Sequence, residues 1–246
     1  MDWKKLSTTK ITQVYKSILL NQCYLCQTHC QSTICKTCHE GFPLNLTHCL
    51  HCKRPTHLPN ILCGHCQANL PTYQLCLAPY RFEGIIKTLI HSIKFNQGTH
   101  FIRPLTELLS AHLIDSYSTQ SWPEQILYVP SHPNRIKERG FCQTQAIATQ
   151  LAKNLKQHLG EQCPSLPKTN PLKKVKNTHA QHSLARKERL KNPQNSYLIN
   201  GAIAEHVALF DDIMTTGSTI EHCVKLLLKA GAKRVDIWLI ARTPDK

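Results

Sequence analysis

Apolar residues recur along the chain in blocks of two periods, and the alternation of those blocks predicts the fold. Residues 75–82 read as an extended segment. Ile85, Ile86, Leu89, Ile90 and Ile93 then form a stripe on one helix face that ends near Lys94. A second helix is predicted over 104–114, followed by a short buried strand over 126–129 that Pro130 stops. The stretch 143–159 reads as a helix with Ile147, Leu151 and Leu155 inward. The run 207–210 is the next strand, 218–230 a helix closed by Gly231, and 235–240 the last strand. Strands alternating with helices imply an α/β fold, a parallel sheet flanked by helices.

The first 70 residues follow another pattern. Ile11, Val14, Tyr15, Ile18 and Leu19 fall at helical spacing, with Lys4, Lys5, Lys10 and Lys16 elsewhere on the segment. Residues 1–20 are therefore expected to form an amphipathic helix that covers one side of the next module, a membrane surface being the other use of such a helix. Residues 21–70 are short on large aliphatics and rich in Cys, His, Thr and Pro, too little apolar surface to fold unaided. Composition changes near Pro71, so the expected parts are 1–20, 21–70 and 71–246.

Composition narrows the chemistry. An apolar fraction of 41% permits a core, and a formal charge of +15 favours anionic partners such as nucleic acid, phosphorylated ligands or acidic headgroups. Of 13 cysteines, eight form four C-x-x-C pairs: Cys23/Cys26, Cys35/Cys38, Cys49/Cys52 and Cys63/Cys66. The opening residues are too polar for a secretory signal and no apolar run approaches membrane-spanning length. A cytoplasmic protein is expected, at most peripheral to the inner membrane, with cysteines that bind metal rather than form disulfides. Two C-x-x-C turns supply the four soft ligands that tetrahedral zinc prefers, so eight cysteines suit two structural zinc ions. Sequential pairing resembles a double zinc ribbon; crossed pairing and a redox dithiol are the other readings. His29, His39, His48, His51 and His65 lie near enough in sequence to replace a cysteine, and Cys30 is left over.

After the strand at 207–210 come two acids, a hydroxyl-rich turn and a helix. Backbone N–H groups of the turn and the helix start make a nest for a phosphate, and Gly217 lets the chain turn tightly against it. The hydroxyls of Thr215, Thr216, Ser218 and Thr219 add donors. Asp211 and Asp212, at the strand's carboxyl end, can accept from a vicinal diol. No P-loop motif is present.

Residues 211–219 resemble the phosphoribosyl-pyrophosphate (PRPP) signature of type I phosphoribosyltransferases. Together with the four C-x-x-C pairs, residues 89–94 and residues 129–143, they make the chain from about Cys23 to Arg242 similar to ComF proteins. Those proteins of naturally competent bacteria take part in DNA uptake and transformation. The resemblance implies a type I phosphoribosyltransferase-like domain that binds PRPP with Mg²⁺. Asp211 and Asp212 would hold the ribose, Thr215, Thr216, Gly217, Ser218 and Thr219 the 5′-phosphate, and Arg139 and Gly140 the pyrophosphate side. Asp211, Asp212 and Arg139 would be the catalytic groups if transfer occurs. The family usually has Asn where this chain has Cys142.

Eight Lys or Arg and one acid, Glu188, lie between Lys168 and Lys191. The stretch resembles the flexible loop that closes over PRPP, with Gln181, Arg186 and Arg189 nearest the ligand. The same charges, with Lys173, Lys174 and Lys176 among them, suit a single-stranded DNA backbone. The expected role is a competence protein that binds PRPP and handles incoming single-stranded DNA beside the DNA-uptake or recombination machinery. The alternative is an active phosphoribosyltransferase acting on an unidentified base or amine, its acceptor hood near 82–94.

Overall fold

The computed structural model describes residues 22–95, 98–131, 133–174 and 197–244. The N-terminal helix expected over 1–20, and Lys176, Gln181, Arg186 and Arg189, lie outside the described residues. Two compact units emerge, Met1–Phe42 and Pro43–Lys246. The division falls inside the segment 21–70, between the second and third C-x-x-C pairs.

The first unit is built on its cysteine turns. The Gln27 N–H donates to the Cys23 carbonyl at 2.9 Å and the Tyr24 N–H to that of Thr33 at 2.9 Å. A one-turn-plus helix, α1 (Lys36–Glu40), follows Cys35, whose side chain caps it by accepting from the Cys38 N–H.

The second unit opens with the other two cysteine pairs and α2 (Gly64–Ala68). It then forms a parallel sheet from β1 (Leu75–Leu77), β2 (Tyr80–Arg81), β3 (Gln125–Tyr128), β6 (His206–Met214) and β7 (Arg234–Arg242). The order is β1-β7-β6-β3, with β2 also pairing with β7. Val207, Ala208, Leu209, Phe210, Ile237, Leu239 and Ile240 expose nothing, as a central strand covered on both faces requires. The connecting helices are α3 (Gly84–Phe95), α4 (Ile102–Ser116), α5 (Pro133–Arg139), α6 (Gln143–Leu159) and α7 (Ser218–Lys229). A separate antiparallel pair, β4 (Leu172–Lys174) with β5 (Tyr197–Ile199), joins Leu172 to Ile199.

Among the described residues the elements expected from periodicity are present, with two shifts that matter for the site. β6 runs past its apolar core because parallel pairing with β7 continues to Ile213↔Ala241 and Met214↔Arg242. Asp211 and Asp212 therefore lie within the strand and not in the turn after it. The basic stretch after Pro130 is a helix, α5, started by Pro133 at a position where its missing N–H costs nothing.

At the amino ends of the strands a polar cluster is fully paired. Asp236, with no exposure, accepts from Tyr117 Oη at 2.7 Å and from Arg234 at 2.9 and 3.0 Å. His206 Nε2 lies 2.8 Å from the same carboxylate. A buried acid with four such contacts holds strands together and offers nothing to a ligand.

Candidate functional site

The carboxyl ends of the parallel strands, where open α/β sheets bind ligands, carry a cavity of about 400 Å³. β6 delivers Asp211 and Asp212 to it, and α7 delivers Thr219. Pro130 and Ser131 come from the end of β3, and Arg135, Arg139, Gln143 and Thr144 from α5 and α6. Lys94 at the end of α3 and Lys174 and Tyr197 of the β4–β5 pair complete the wall. Lys94, Arg135, Arg139 and Lys174 thus face two carboxylates, a surplus of positive charge suited to a polyanion.

The two acids differ. Asp212 is 7% exposed and fully engaged. Its Oδ2 accepts from Gln143 Nε2 at 2.6 Å and pairs with Lys94 Nζ at 2.8 Å, while its Oδ1 accepts from the Ile213 N–H at 2.9 Å. Asp211 accepts only from the Asp212 N–H, at 2.9 Å, among the bonds described. Burial, and then the neighbouring Asp212 charge, raise the Asp211 carboxyl well above its usual range, with Lys94 opposing. Burial, and then Arg135, push Lys174 below the ordinary lysine value, with Asp211 restoring part of the loss. Each is a charge that a bound ligand of opposite sign would stabilise.

Stability should record the strain at Asp211. In the pH window between its usual value of 3.8 and its raised folded value, the folded chain holds a proton that the unfolded chain has released. Its contribution is therefore present at low pH and is lost as pH rises through the folded value. Asp211→Asn keeps the acceptor and removes the charge, so at pH 7 it is expected to stabilise by about 1 kcal/mol, roughly 2–4 °C in melting temperature. The gain should vanish below pH 4; a gain independent of pH would contradict this account.

Of the turn, only Thr219 reaches the cavity wall. Thr215, Thr216 and Ser218 are exposed, with Thr216 Oγ1 3.0 Å from Ser218 Oγ. Gly217 caps α7 with φ 91°, a left-handed conformation that explains the glycine. Arg139 lines the cavity and lies 4.9 Å over the Phe95 ring. Gly140 closes α5 with φ 78° and is not on the wall. Cys142 stands at the N-cap of α6 without a side-chain capping bond, its Sγ 3.4 Å from Thr144 Oγ1. Thr144 and Tyr197 on the wall gave no signal in the sequence, Lys94 and Gln143 end the segments 82–94 and 129–143 that the resemblance brought to the pocket, and Lys174 joins the pocket wall as well as the basic stretch.

The cysteines form two clusters, Cys23, Cys26, Cys35 and Cys38 in the first unit and Cys49, Cys52, Cys63 and Cys66 in the second. Pairing is sequential, and no histidine belongs to either cluster among the described residues. In each, the ligand atoms lie within 4.8 Å of one another. A tetrahedral four-thiolate zinc site with Zn–S near 2.3 Å places sulfurs about 3.8 Å apart. Cys26 and Cys35 are 3.7 Å apart and Cys52 and Cys63 are 3.6 Å apart, so the donor sets fit such an ion. Both clusters use the same knuckle. The N–H of Cys35 donates to Cys23 Sγ at 3.3 Å, and that of Cys63 to Cys49 Sγ at 3.3 Å. The residues after the second cysteines, Gln27 and Lys53, are left-handed at φ 62° and 55°. The second cluster is buried throughout and the first is partly open.

Together these features define a parallel α/β protein with a pocket rich in basic side chains at its strand carboxyl ends and two four-cysteine clusters whose geometry suits metal. No family model matches the chain. The chain is 27% identical over 213 residues to the DNA utilization protein YhgH of Escherichia coli K12, covering 85% of this chain and 90% of the relative. It is 29% identical over 215 residues to competence protein F of Haemophilus influenzae, covering 85% and 90%. Competence protein ComFC of Streptococcus pneumoniae is 25% identical over 234 residues, covering 94% and 97%. These relatives support placing the chain in the ComF family. A solved structure described as that of the allosteric regulatory enzyme of purine biosynthesis overlaps 56% of this chain, but this chain spans only about a quarter (26%) of it. Its 15% identity and TM-score of 0.36 carry no argument.

Proposed function

We propose that this protein serves DNA uptake and natural transformation in the cytoplasm, binding PRPP with Mg²⁺ and handling incoming single-stranded DNA. The observation that carries this reading is the acid pair of β6 set among four basic side chains, in a chain similar to proteins named for competence and DNA utilization. Asp211 accepts from the ribose hydroxyls, and Asp212, held by Lys94 and Gln143, fixes its orientation. The N-terminus of α7 with Thr219, and the hydroxyls of Thr215, Thr216 and Ser218, receive the 5′-phosphate. Arg139, with Arg135 and Lys174, receives the pyrophosphate, and Gly140 lets the chain turn beside it. Mg²⁺ brought by the ligand would offset the charge of its phosphates. The cysteine centres hold structural zinc, and the rest of the basic stretch, Lys168 and Lys173 included, meets the DNA backbone.

A transformation assay tests the reading. A host carrying Asp211→Ala/Asp212→Ala as its only copy is expected to transform about a hundredfold less often than wild type, at equal protein level. Wild-type frequency would refute a role for the pocket in DNA uptake.

A further inference from the structure

Arg242, the last residue of β7, is 1% exposed. Among the described residues it has no carboxylate partner. Its Nε and Nη1 instead donate to carbonyls from two places far apart in sequence. Nε donates to the Cys52 carbonyl at 3.1 Å, and Nη1 donates to the Met214 carbonyl at 2.7 Å and to the Thr215 carbonyl. Cys52 is a ligand position of the second cysteine centre. Met214 and Thr215 begin the turn that leads to α7.

The surrounding packing repeats the connection. A gap of only about 20 Å³ separates Cys52 and Arg242 from Thr216 and Gly217. Cys49, Cys52, Cys63 and Cys66 share one core with Met214 and Ile220, on either side of the turn. A Cβ at Gly217 would meet Met214 Sδ at 3.4 Å, so the turn rests directly on that residue. Buried polar groups cost most when one partner is taken away, and here the partners are the knuckle and the turn. A four-thiolate centre holding a divalent cation carries net negative charge, which complements the buried guanidinium.

We propose that Arg242 is a positioning residue for the phosphate-binding turn and makes metal at the second cysteine centre and phosphate at residues 215–219 mutually dependent. It holds two turn carbonyls inward, which leaves the following N–H groups directed to the anion. Loss of metal releases the Cys52 carbonyl and with it the turn. Coupling of this kind is reciprocal, so bound ligand also holds the metal more tightly. The ligand half of the inference rests on the PRPP reading; the hold on the turn does not.

Hydrogen exchange and calorimetry on the full zinc-loaded chain test it, with Arg242→Lys and Arg242→Met beside wild type and zinc content measured in each. Arg242→Met is expected to keep its zinc, exchange the amides of 215–219 faster, and bind PRPP–Mg²⁺ about tenfold more weakly. Arg242→Lys, which can still reach one carbonyl, should fall between. In zinc-loaded wild type, PRPP–Mg²⁺ should slow release of zinc from the second centre to a chelator, and in Arg242→Met it should not. Wild-type exchange and affinity in zinc-replete Arg242→Met would overturn the proposal. If that variant does not fold, a wild type that binds PRPP–Mg²⁺ without slower zinc release would overturn it equally. A wild type that binds no PRPP, yet whose turn still loosens in Arg242→Met, would refute the PRPP reading and leave the hold on the turn standing.

Discussion

Cys66→Ser is expected to abolish folding of the larger unit, whereas Cys26→Ser leaves that unit's melting temperature within about 2 °C of wild type. The difference comes from where the two centres sit. All four cysteines of the second centre are buried in the core that also contains Leu127, Val207, Leu209, Val235 and Ile237. An apparent binding free energy of about 10–16 kcal/mol for a structural zinc site equals or exceeds the about 5–15 kcal/mol that stabilises a typical domain. Losing one ligand there removes more than the fold can spare. Cys26 is exposed and belongs to the other unit, so its loss should free one zinc and disturb residues 22–42 alone. Thermal melts with zinc analysis decide the matter. Equal melting temperatures for wild type and Cys66→Ser would show that the second centre carries no folding energy.

Asp211→Ala/Asp212→Ala is expected to weaken PRPP–Mg²⁺ binding by at least about a hundredfold, about 2.7 kcal/mol or more. Removing Asp211 takes away the ribose acceptor. Removing Asp212 leaves Gln143 Nε2 and Lys94 Nζ, now 2.6 and 2.8 Å from its carboxylate, without a partner and free to collapse into the cavity. Charged hydrogen bonds in partly buried sites contribute about 1.5–3 kcal/mol each, so two lost together exceed the stated bound. The fold should survive, because burial and the adjacent charge make Asp211 a destabilising residue in the free protein. Calorimetric titration of both proteins at equal ionic strength checks the loss, and undiminished affinity in the double variant would sink the assignment.

What the sequence made legible follows from the range of the interactions involved. C-x-x-C turns are local, so spacing alone marked eight candidate ligands, and only their grouping needed the folded chain. The run 207–210 is apolar enough to read as a central strand. Its extension through Met214 was hidden, because Asp211 and Asp212 interrupt the pattern and only pairing with β7 carries the strand onward. Lys94 and Gln143 were readable as the ends of segments that the resemblance brings to the pocket; that both meet Asp212, distant in sequence and close in space, was not. Lys174 was grouped with a run of like charges, and only its antiparallel pairing with Tyr197 turns it to the cavity. Arg242 lay beyond the apolar run 235–240 and gave no signal, since its two partners come from opposite ends of the second unit. The turn was found by its composition, yet which of its hydroxyls reaches the wall depends on the start of α7 after Gly217.

The central claim is that the cavity binds a ribose 5-phosphate bearing pyrophosphate and not merely negative charge. Calorimetric titration of wild type with PRPP, ribose 5-phosphate and pyrophosphate, each with Mg²⁺ at physiological salt, tests it most directly. The account predicts one PRPP site per chain, at least about tenfold tighter than either fragment, because the acid pair, the turn and the Arg139 side are engaged together. Pyrophosphate binding as tightly as PRPP would contradict it and reduce the cavity to a general polyanion site.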